Sequence, residues 1–162
     1  MQPELYPERI ARPSSSAKEV VKSAAEAYAK HMHSQWSDWS IEEWSEALTR
    51  NHSAYKDGYE LAKDLEREGF DPDAQMVAEL DGFGFEVSSA HGRAVKDWVK
   101  LMGFEPLYEV GDTVLVPRIL DDKGGSGKIT EIRHDTAEYL VKTDPSSNSA
   151  YIIKAEDITG KS

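Results

Sequence analysis

The sequence contains no cysteine at any of its 162 positions. Disulfide frameworks, thiol nucleophiles and thiolate zinc sites are therefore excluded, and the absence of disulfides fits a reducing compartment. No run approaches the roughly 18 apolar residues that a membrane helix needs. The first residues offer neither the basic region nor the apolar region of a signal peptide. We therefore expect a soluble, cytoplasmic protein without a membrane segment.

Positive charge is scarce, with 19 Lys and Arg against 30 Asp and Glu and a formal net charge of -11. The imbalance is concentrated between Asp38 and Glu86, where fourteen acidic residues meet four basic ones, a net of -10. Such a field repels phosphate backbones and attracts basic surfaces. It is consistent with a solvated helical surface that charge keeps soluble. It is also consistent with a surface that meets a basic groove of a partner protein.

The N-terminal two thirds predict helices. Residues 1–13 contain three prolines and no periodicity, which predicts an extended arm. Ser-x-x-Glu capping boxes at Ser16 and Ser40 predict two helix starts. Apolar residues at helical spacing then predict three helices, over residues 17–33, 41–51 and about 53–68.

A fourth helix is predicted from residue 72 to residue 102. Asp71 and Pro72 suit its first positions, and the apolar residues from Met76 to Leu101 recur at steps of three and four. Three glycines at positions 82, 84 and 92 argue for a break, because each costs up to about 1 kcal/mol against alanine. One long helix is the prediction, and two shorter helices that meet at Gly82–Gly84 are the alternative.

Residues 105–162 change character to short β-branched runs separated by turn clusters. The segments Tyr108-Glu109-Val110-Gly111-Asp112-Thr113-Val114, Gly127-Lys128-Ile129, Tyr139-Leu140-Val141 and Glu156-Asp157-Ile158 resemble the SH3-like barrel superfamily over residues 107–160. The four or five short strands of this segment favour a compact barrel or curled sheet, and the resemblance implies a small SH3-like β-barrel. It does not select a function, because the superfamily includes nucleic-acid binders, histone-tail readers, peptide binders and structural domains. The predicted fold class is therefore α+β, with an arm (1–13), a helical bundle of about four helices (14–104) and an SH3-like β-barrel (105–162).

Two patterns that could indicate chemistry have simpler interpretations. The stretch from Gly124 to Thr130 resembles a phosphate-binding loop, but Asp122 replaces its first glycine, Ile129 replaces its Ser or Thr, and a strand follows. A hairpin tip is predicted instead. The five histidines lack the spacing of a zinc helix. We expect no metal, no cofactor and no catalytic residue.

Two sets of residues are predicted to bind a partner. The acidic face is expected to comprise Asp38, Glu42, Glu43, Glu46, Asp64 and Glu66. Trp36 and Trp39 are predicted aromatic anchors, because tryptophan buries much area at little entropic cost. Their alternative role is to lock the first helices onto the long one.

Three functional hypotheses follow. The leading one is a non-enzymatic protein–protein interaction module; in its sharper form, the acidic helices imitate nucleic acid in a basic groove. This resembles the phage and mobile-element inhibitors of CRISPR and restriction systems in size and charge only. The second is an accessory nucleic-acid or ribonucleoprotein factor whose barrel uses Arg133, Lys142 and Tyr139, although eleven acidic against seven basic residues in the barrel argue against direct binding. The third, an enzyme, requires a pocket that joins His52 or His91 to carboxylates.

Overall fold

The computed structural model describes residues 10–117 and 125–162. It combines α-helices with one antiparallel sheet of four strands. The chain divides into two compact units, Arg12–Val95 and Lys96–Ser162, the latter together with Ile10 and Ala11. Residues 1–9 of the predicted arm lie outside the described residues. None of the helices in the described ranges has both the length and the apolar composition needed to span a bilayer.

Helices α1 (Lys18–Gln35) and α2 (Ile41–Asn51) form at the predicted places. The capping box at Ser40 is confirmed: its hydroxyl accepts the Glu43 N–H at 3.1 Å, and the Glu43 carboxylate accepts the Ser40 N–H at 2.8 Å. The prediction of a capping box at Ser16 is wrong. Helix α1 starts one residue later than predicted, and its N-cap, Ala17, has no side chain that can accept a hydrogen bond. Val20, Ala24, Ala29 and Met32 of α1 are buried with Trp44 and Leu48 of α2 in one core.

Helix α3 (Gly58–Arg67) begins five residues later than predicted, because Asp57 accepts the Glu60 N–H at 2.9 Å and fixes the helix start there. Tyr55 therefore lies in the preceding loop, where it is 95% exposed rather than part of an apolar face. The loop from residue 52 to residue 57 joins α2 to α3.

The prediction of a single long helix from residue 72 to residue 102 is wrong, and the alternative of two shorter helices is confirmed. Helix α4 (Ala74–Leu80) ends before Asp81 and Gly82, and α5 (Phe83–Met102) follows. At this turn a Cβ on Gly82 would overlap the hydroxyl of Tyr28, which donates to the Glu79 carbonyl, so glycine allows the close approach of Tyr28. The apolar residues on both sides of the break still face the same core, since Leu80 and Phe83 are both buried in the core of the first unit.

The sheet belongs to the second unit and follows chain order: β1 (Thr113–Leu115), β2 (Ser126–Arg133), β3 (Glu138–Lys142) and β4 (Tyr151–Lys154). Each strand is antiparallel to the next, and a register shift between Ile129 and Glu131 bends β2. A 3-10 helix, Ala155–Asp157, follows β4. The sheet is open, since no pairing joins β1 to β4 among the described residues. The core beneath it contains Val114, Ile129, Tyr139, Val141, Ile153 and Ile158.

Candidate functional site

A small cleft opens in the helical unit where the loop after α2 faces the start of α5. We call it the His52 cleft. Its apolar lining consists of Leu61, Leu80, Phe83 and Val87, and its polar lining comprises Ser15, His52, Ser53, Lys56, Asp81 and Ser88, with Ala54 and Gly84 completing the wall. Its volume is about 170 Å³. A concave site with an apolar floor and a few polar groups at its mouth is the general form of a small-molecule site.

The imidazole of His52 packs edge-on against the ring of Phe83, with centroids 5.6 Å apart and an interplanar angle of 88°. Burial is the main cause that lowers the pKa of His52, and the nearby charge of Lys56 adds to it. The ring is therefore held neutral near pH 7, with one nitrogen as donor and one as acceptor. No hydrogen bond from another described residue is made to either nitrogen.

The two charged residues of the cleft are already engaged. The Lys56 ammonium donates to Asp64 Oδ2 at 2.5 Å and to the Asn51 carbonyl at 3.0 Å. Asp81 Oδ1 accepts the Gly58 N–H at 2.6 Å. His52 and Asp81 thus share one cleft, as the enzyme hypothesis requires, but within the described residues no hydrogen bond links them. The arrangement can bind a ligand but lacks an oriented acid–base pair.

The predicted acidic face is only partly free. Asp38, Glu42, Glu46 and Glu66 are exposed and have no ion-pair or hydrogen-bond partner among the described residues. Glu43 is used in the capping box, whose hydrogen bonds to Ser40 lower its pKa. Asp64 is held by Lys56 at 2.5 Å and by Arg67 at 2.9 Å, and the hydrogen bond from Lys56 is the main cause of its lowered pKa.

The predicted aromatic anchors are part of the core packing of the helical unit. Trp39 is half-buried and stacks on Phe70, with centroids 4.0 Å apart and planes 17° from parallel. Trp36 is also half-buried, and its carbonyl accepts the indole N–H of Trp44 at 3.3 Å. Both tryptophans therefore pack against the core of the helical unit. The partner of Trp39 is Phe70 and not a long helix, which was the partner in the alternative interpretation.

Tyr139 of the sheet is not available to stack on a base of a nucleic acid. Tyr139 is 1% exposed, and its hydroxyl accepts the Leu107 N–H at 3.1 Å, so its ring cannot reach a base. The prediction for Tyr139 is corrected for this reason: odd-numbered residues of β3 face the core. Arg133 lies 3.4 Å from the carboxylate of Glu131, and Lys142 is half-buried at the end of β3.

Histidines elsewhere make structural contacts. His31 lies 2.7 Å from Glu79 Oε2, His33 lies 2.7 Å from the Trp39 carbonyl, and His91 lies 2.9 Å from the Pro13 carbonyl. Across residues 10–117 and 125–162, no three His, Asp or Glu side chains are grouped to hold a metal ion. Of the residues in the phosphate-loop pattern, Asp122 and Gly124 lie outside the described residues.

The His52 cleft was not predicted from sequence as a site. Its residues come from the segment before α1, the α2–α3 loop and helices α3 to α5, and no spacing rule connects these. The available signal was a polar run, Asn51-His52-Ser53, at the end of an amphipathic helix. Comparison with protein-family models, with curated proteins and with solved structures found no match to this chain.

Proposed function

We propose that this chain is a non-enzymatic protein-binding module whose acidic helical unit occupies a basic surface of its partner. In the sharper form of the proposal, that surface is one on which the partner otherwise binds nucleic acid. The observation that carries it is a surplus of free carboxylates. Seven carboxylates of the helical unit are exposed and lack a partner among the described residues: Glu19, Asp38, Glu42, Glu46, Glu60, Glu66 and Asp71.

Between Asp38 and Glu86 the cations are largely engaged with other side chains, which leaves the carboxylates of that stretch in excess. Between Asp38 and Glu86 the four cations are Arg50, Lys56, Lys63 and Arg67. Arg50 binds Glu68 at 2.6 Å, while Lys56 and Arg67 both bind Asp64. Lys63 lies over the ring of Tyr59, 4.5 Å from its centroid. A field produced by unpaired charges steers a basic partner and weakens with salt.

Glu42 and Glu46 also border a groove between α1 and α2. The groove has a volume of about 590 Å³, and Ile41, which is 41% exposed, supplies an apolar contact in it. Lys22 and Lys30 line the opposite wall. A partner segment that fits this groove would therefore carry positive charge on the side that faces α2. On the side that faces α1 it could carry side chains of either charge.

The finer description of the second unit is part of the same proposal: we infer an SH3-like barrel. Its support is the backbone beside β1, where Val114 forms an antiparallel bridge with Lys161. The Leu115 N–H donates to the Gly160 carbonyl at 2.9 Å, and the Ser162 N–H donates to the Thr113 carbonyl at 2.9 Å. A fifth element after a 3-10 helix would thus flank β1, in the order that such barrels use.

The test is capture of a partner from extract of the source cells by the tagged full chain, at 50 mM and 500 mM salt, with nuclease present. We expect a protein that binds at 50 mM salt and is released at 500 mM. Once the nuclease has been washed away, added duplex DNA should displace it. Glu42→Lys, Glu46→Lys and Glu66→Lys together should abolish capture. The matched control replaces three exposed carboxylates elsewhere, Asp97, Glu105 and Asp157, with lysine, so that the net charge changes by the same amount.

Capture that withstands 500 mM salt and the triple reversal on the helical unit would overturn the proposal. Capture lost equally in the control variant would show that only net charge matters, and would also contradict a defined acidic surface. Recovery of nucleic acid that nuclease removes would favour the alternative, in which the sheet unit contacts nucleic acid.

A further inference from the structure

Strand β4 lies at an open edge of the sheet. In the described part of the chain its one strand neighbour is β3, whereas β1, at the other end of the strand order, is flanked by the segment 160–162. One side of β4 is therefore paired, and the other side has no strand beside it. An uncovered strand edge is a template on which another extended chain can pair.

The hydrogen-bonding pattern identifies the backbone groups of β4 that face outward. The Ala155 N–H donates to the Ala137 carbonyl at 3.0 Å, and these two residues continue the register between β3 and β4. Hydrogen-bonded and non-hydrogen-bonded pairs alternate along an antiparallel ladder. The first and third residues of β4 therefore bond to β3, while the N–H and C=O groups of Ile152 and Lys154 point away from the sheet. No hydrogen bond from another described residue reaches these outward groups.

Apolar side chains adjoin this edge on both faces of the sheet. Ile152 is 56% exposed, and Leu140 lies opposite it on β3; we call the face that carries these two residues the outer face. On the core face, Tyr151 is 41% exposed at the same edge. A strand added to β4 would cover Ile152 and Tyr151 with its own side chains, so that backbone pairing and burial of apolar area would act together.

The outer face is basic, although the chain as a whole carries a net charge of -11. The strand register places four cations and two carboxylates on this face, a net of +2: Lys128, Arg133, Lys142, Lys154, Glu131 and Glu138. Arg133 lies 3.4 Å from Glu131, whereas the three lysines have no ion-pair partner among the described residues. The face therefore attracts carboxylates beside the free edge. A second copy of the chain would bring the same cations together, which disfavours pairing of two copies through β4.

We propose that β4 binds an extended acidic segment of a partner protein, which pairs with Ile152 and Lys154 as an added antiparallel strand. Side-chain alternation predicts the pattern of that segment. A central apolar residue lies beside Ile152 on the outer face, and an Asp or Glu lies two positions to either side, one near Lys154 and the other toward Lys142. This site lies on the sheet unit and does not depend on the acidic surface of the proposed function.

The probe is the peptide acetyl-Ser-Glu-Thr-Ile-Val-Glu-Ser-amide, titrated into the ¹⁵N-labelled full chain. When its isoleucine pairs with Ile152, both of its glutamates lie on the outer face. We expect saturable binding with a Kd of about 1 mM or below. The amides of Ile152 and Lys154 should shift further downfield than those of Tyr151 and Ile153, because the latter already bond to β3.

Two methylated peptides separate strand pairing from attraction by charge. N-methylation of the isoleucine removes the N–H that would donate to the Ile152 carbonyl, and it should lower the affinity at least about tenfold. N-methylation of the neighbouring valine alters a group that points away from β4, and it should change the affinity less than about threefold.

The protein offers its own matched variants. Ile152→Pro removes an outward N–H that the sheet does not use, so the fold should tolerate it while binding is lost. Lys142→Glu with Lys154→Glu should lower the affinity at least about fivefold. The control, Lys18→Glu with Lys100→Glu, changes the net charge equally at two exposed lysines elsewhere and should have less than a twofold effect. Circular dichroism and the urea midpoint verify that each variant folds.

Four results would overturn the proposal. The first is no saturation below about 10 mM peptide. The second is equal binding of the two methylated peptides, which would indicate attraction by charge alone. The third is unchanged binding in folded Ile152→Pro. The fourth is a dimer of the chain in sedimentation velocity that Ile152→Pro dissociates, because a second copy would then occupy the edge.

Discussion

Gly58 lies at the first position of α3, directly against the end of α4. A Cβ at this position would lie 2.6 Å from the Asp81 backbone nitrogen and 2.7 Å from Asp81 Oδ1, and it would also overlap the Val77 carbonyl oxygen. Gly58 has no positive φ angle. Alanine can therefore adopt its backbone conformation, and Gly58→Ala tests the close approach of the two helices alone.

The expected loss of stability follows from these contacts. Overlap with backbone atoms, which cannot rotate away, costs about 1–3 kcal/mol. The hydrogen bond from the Gly58 N–H to Asp81, 2.6 Å long, would lengthen, at a further cost of about 1 kcal/mol. The helix propensity of alanine offsets about 0.5–1 kcal/mol of this. The net expectation is a loss of about 1–3.5 kcal/mol, out of the 5–15 kcal/mol typical of a domain.

Urea unfolding followed by circular dichroism measures this loss. With a slope of about 1.5 kcal/mol/M, the midpoint of the helical unit should fall by about 0.7–2.3 M with the slope unchanged. Gly84→Ala is the control, because an added Cβ there meets nothing, and it should be neutral or stabilising by about 0.5 kcal/mol. A Gly58→Ala midpoint within about 0.3 M of the parent would refute the close packing of α3 on α4.

Three further substitutions test the fold. Ser40→Ala removes the capping box of α2 and should cost about 1 kcal/mol in urea unfolding, whereas Ser40→Asp should restore most of it. Because burial lowers the pKa of His52, the unfolded chain binds a proton more readily than the folded chain, and the free energy of unfolding should fall as pH drops below about 6.5. His52→Gln should reduce the loss of stability measured between pH 7.5 and 5.5. An unchanged loss would exclude His52 as its source. Tyr139→Phe removes the acceptor of the Leu107 N–H and should cost about 1 kcal/mol and speed hydrogen exchange of that amide; unaltered exchange would argue against the bond.

Local chemistry explains which parts of the fold could be predicted from sequence. The capping box of α2 joins Ser40 to a residue three positions away, so its signal is contained in one short segment. The break at Asp81–Gly82 was harder to predict, because the apolar residues on both sides keep a common phase. The close approach of the Tyr28 hydroxyl to Gly82 at the break is a contact across 54 positions, which periodicity does not record.

Which residues of the candidate sites are available also depends on contacts between residues far apart in sequence. The sequence identifies an excess of carboxylates, but only the structure distinguishes Asp64, which two cations hold, from Glu66, which none holds. The exposure of Tyr55 depends on where α3 begins, which the Asp57 cap fixes. The His52 cleft exists only once the α2–α3 loop meets α5.

The chain-order arrangement of the sheet has a kinetic consequence. Every pairing from β1 to β4 joins neighbours in sequence, so the sheet can grow hairpin by hairpin with little loss of chain entropy at each closure. The bridge between Val114 and Lys161 differs, because it closes a loop across 47 positions. We expect this bridge to form last during refolding and to open first in the native state. Amide exchange at Ser162 would then report a local opening well below the free energy of global unfolding.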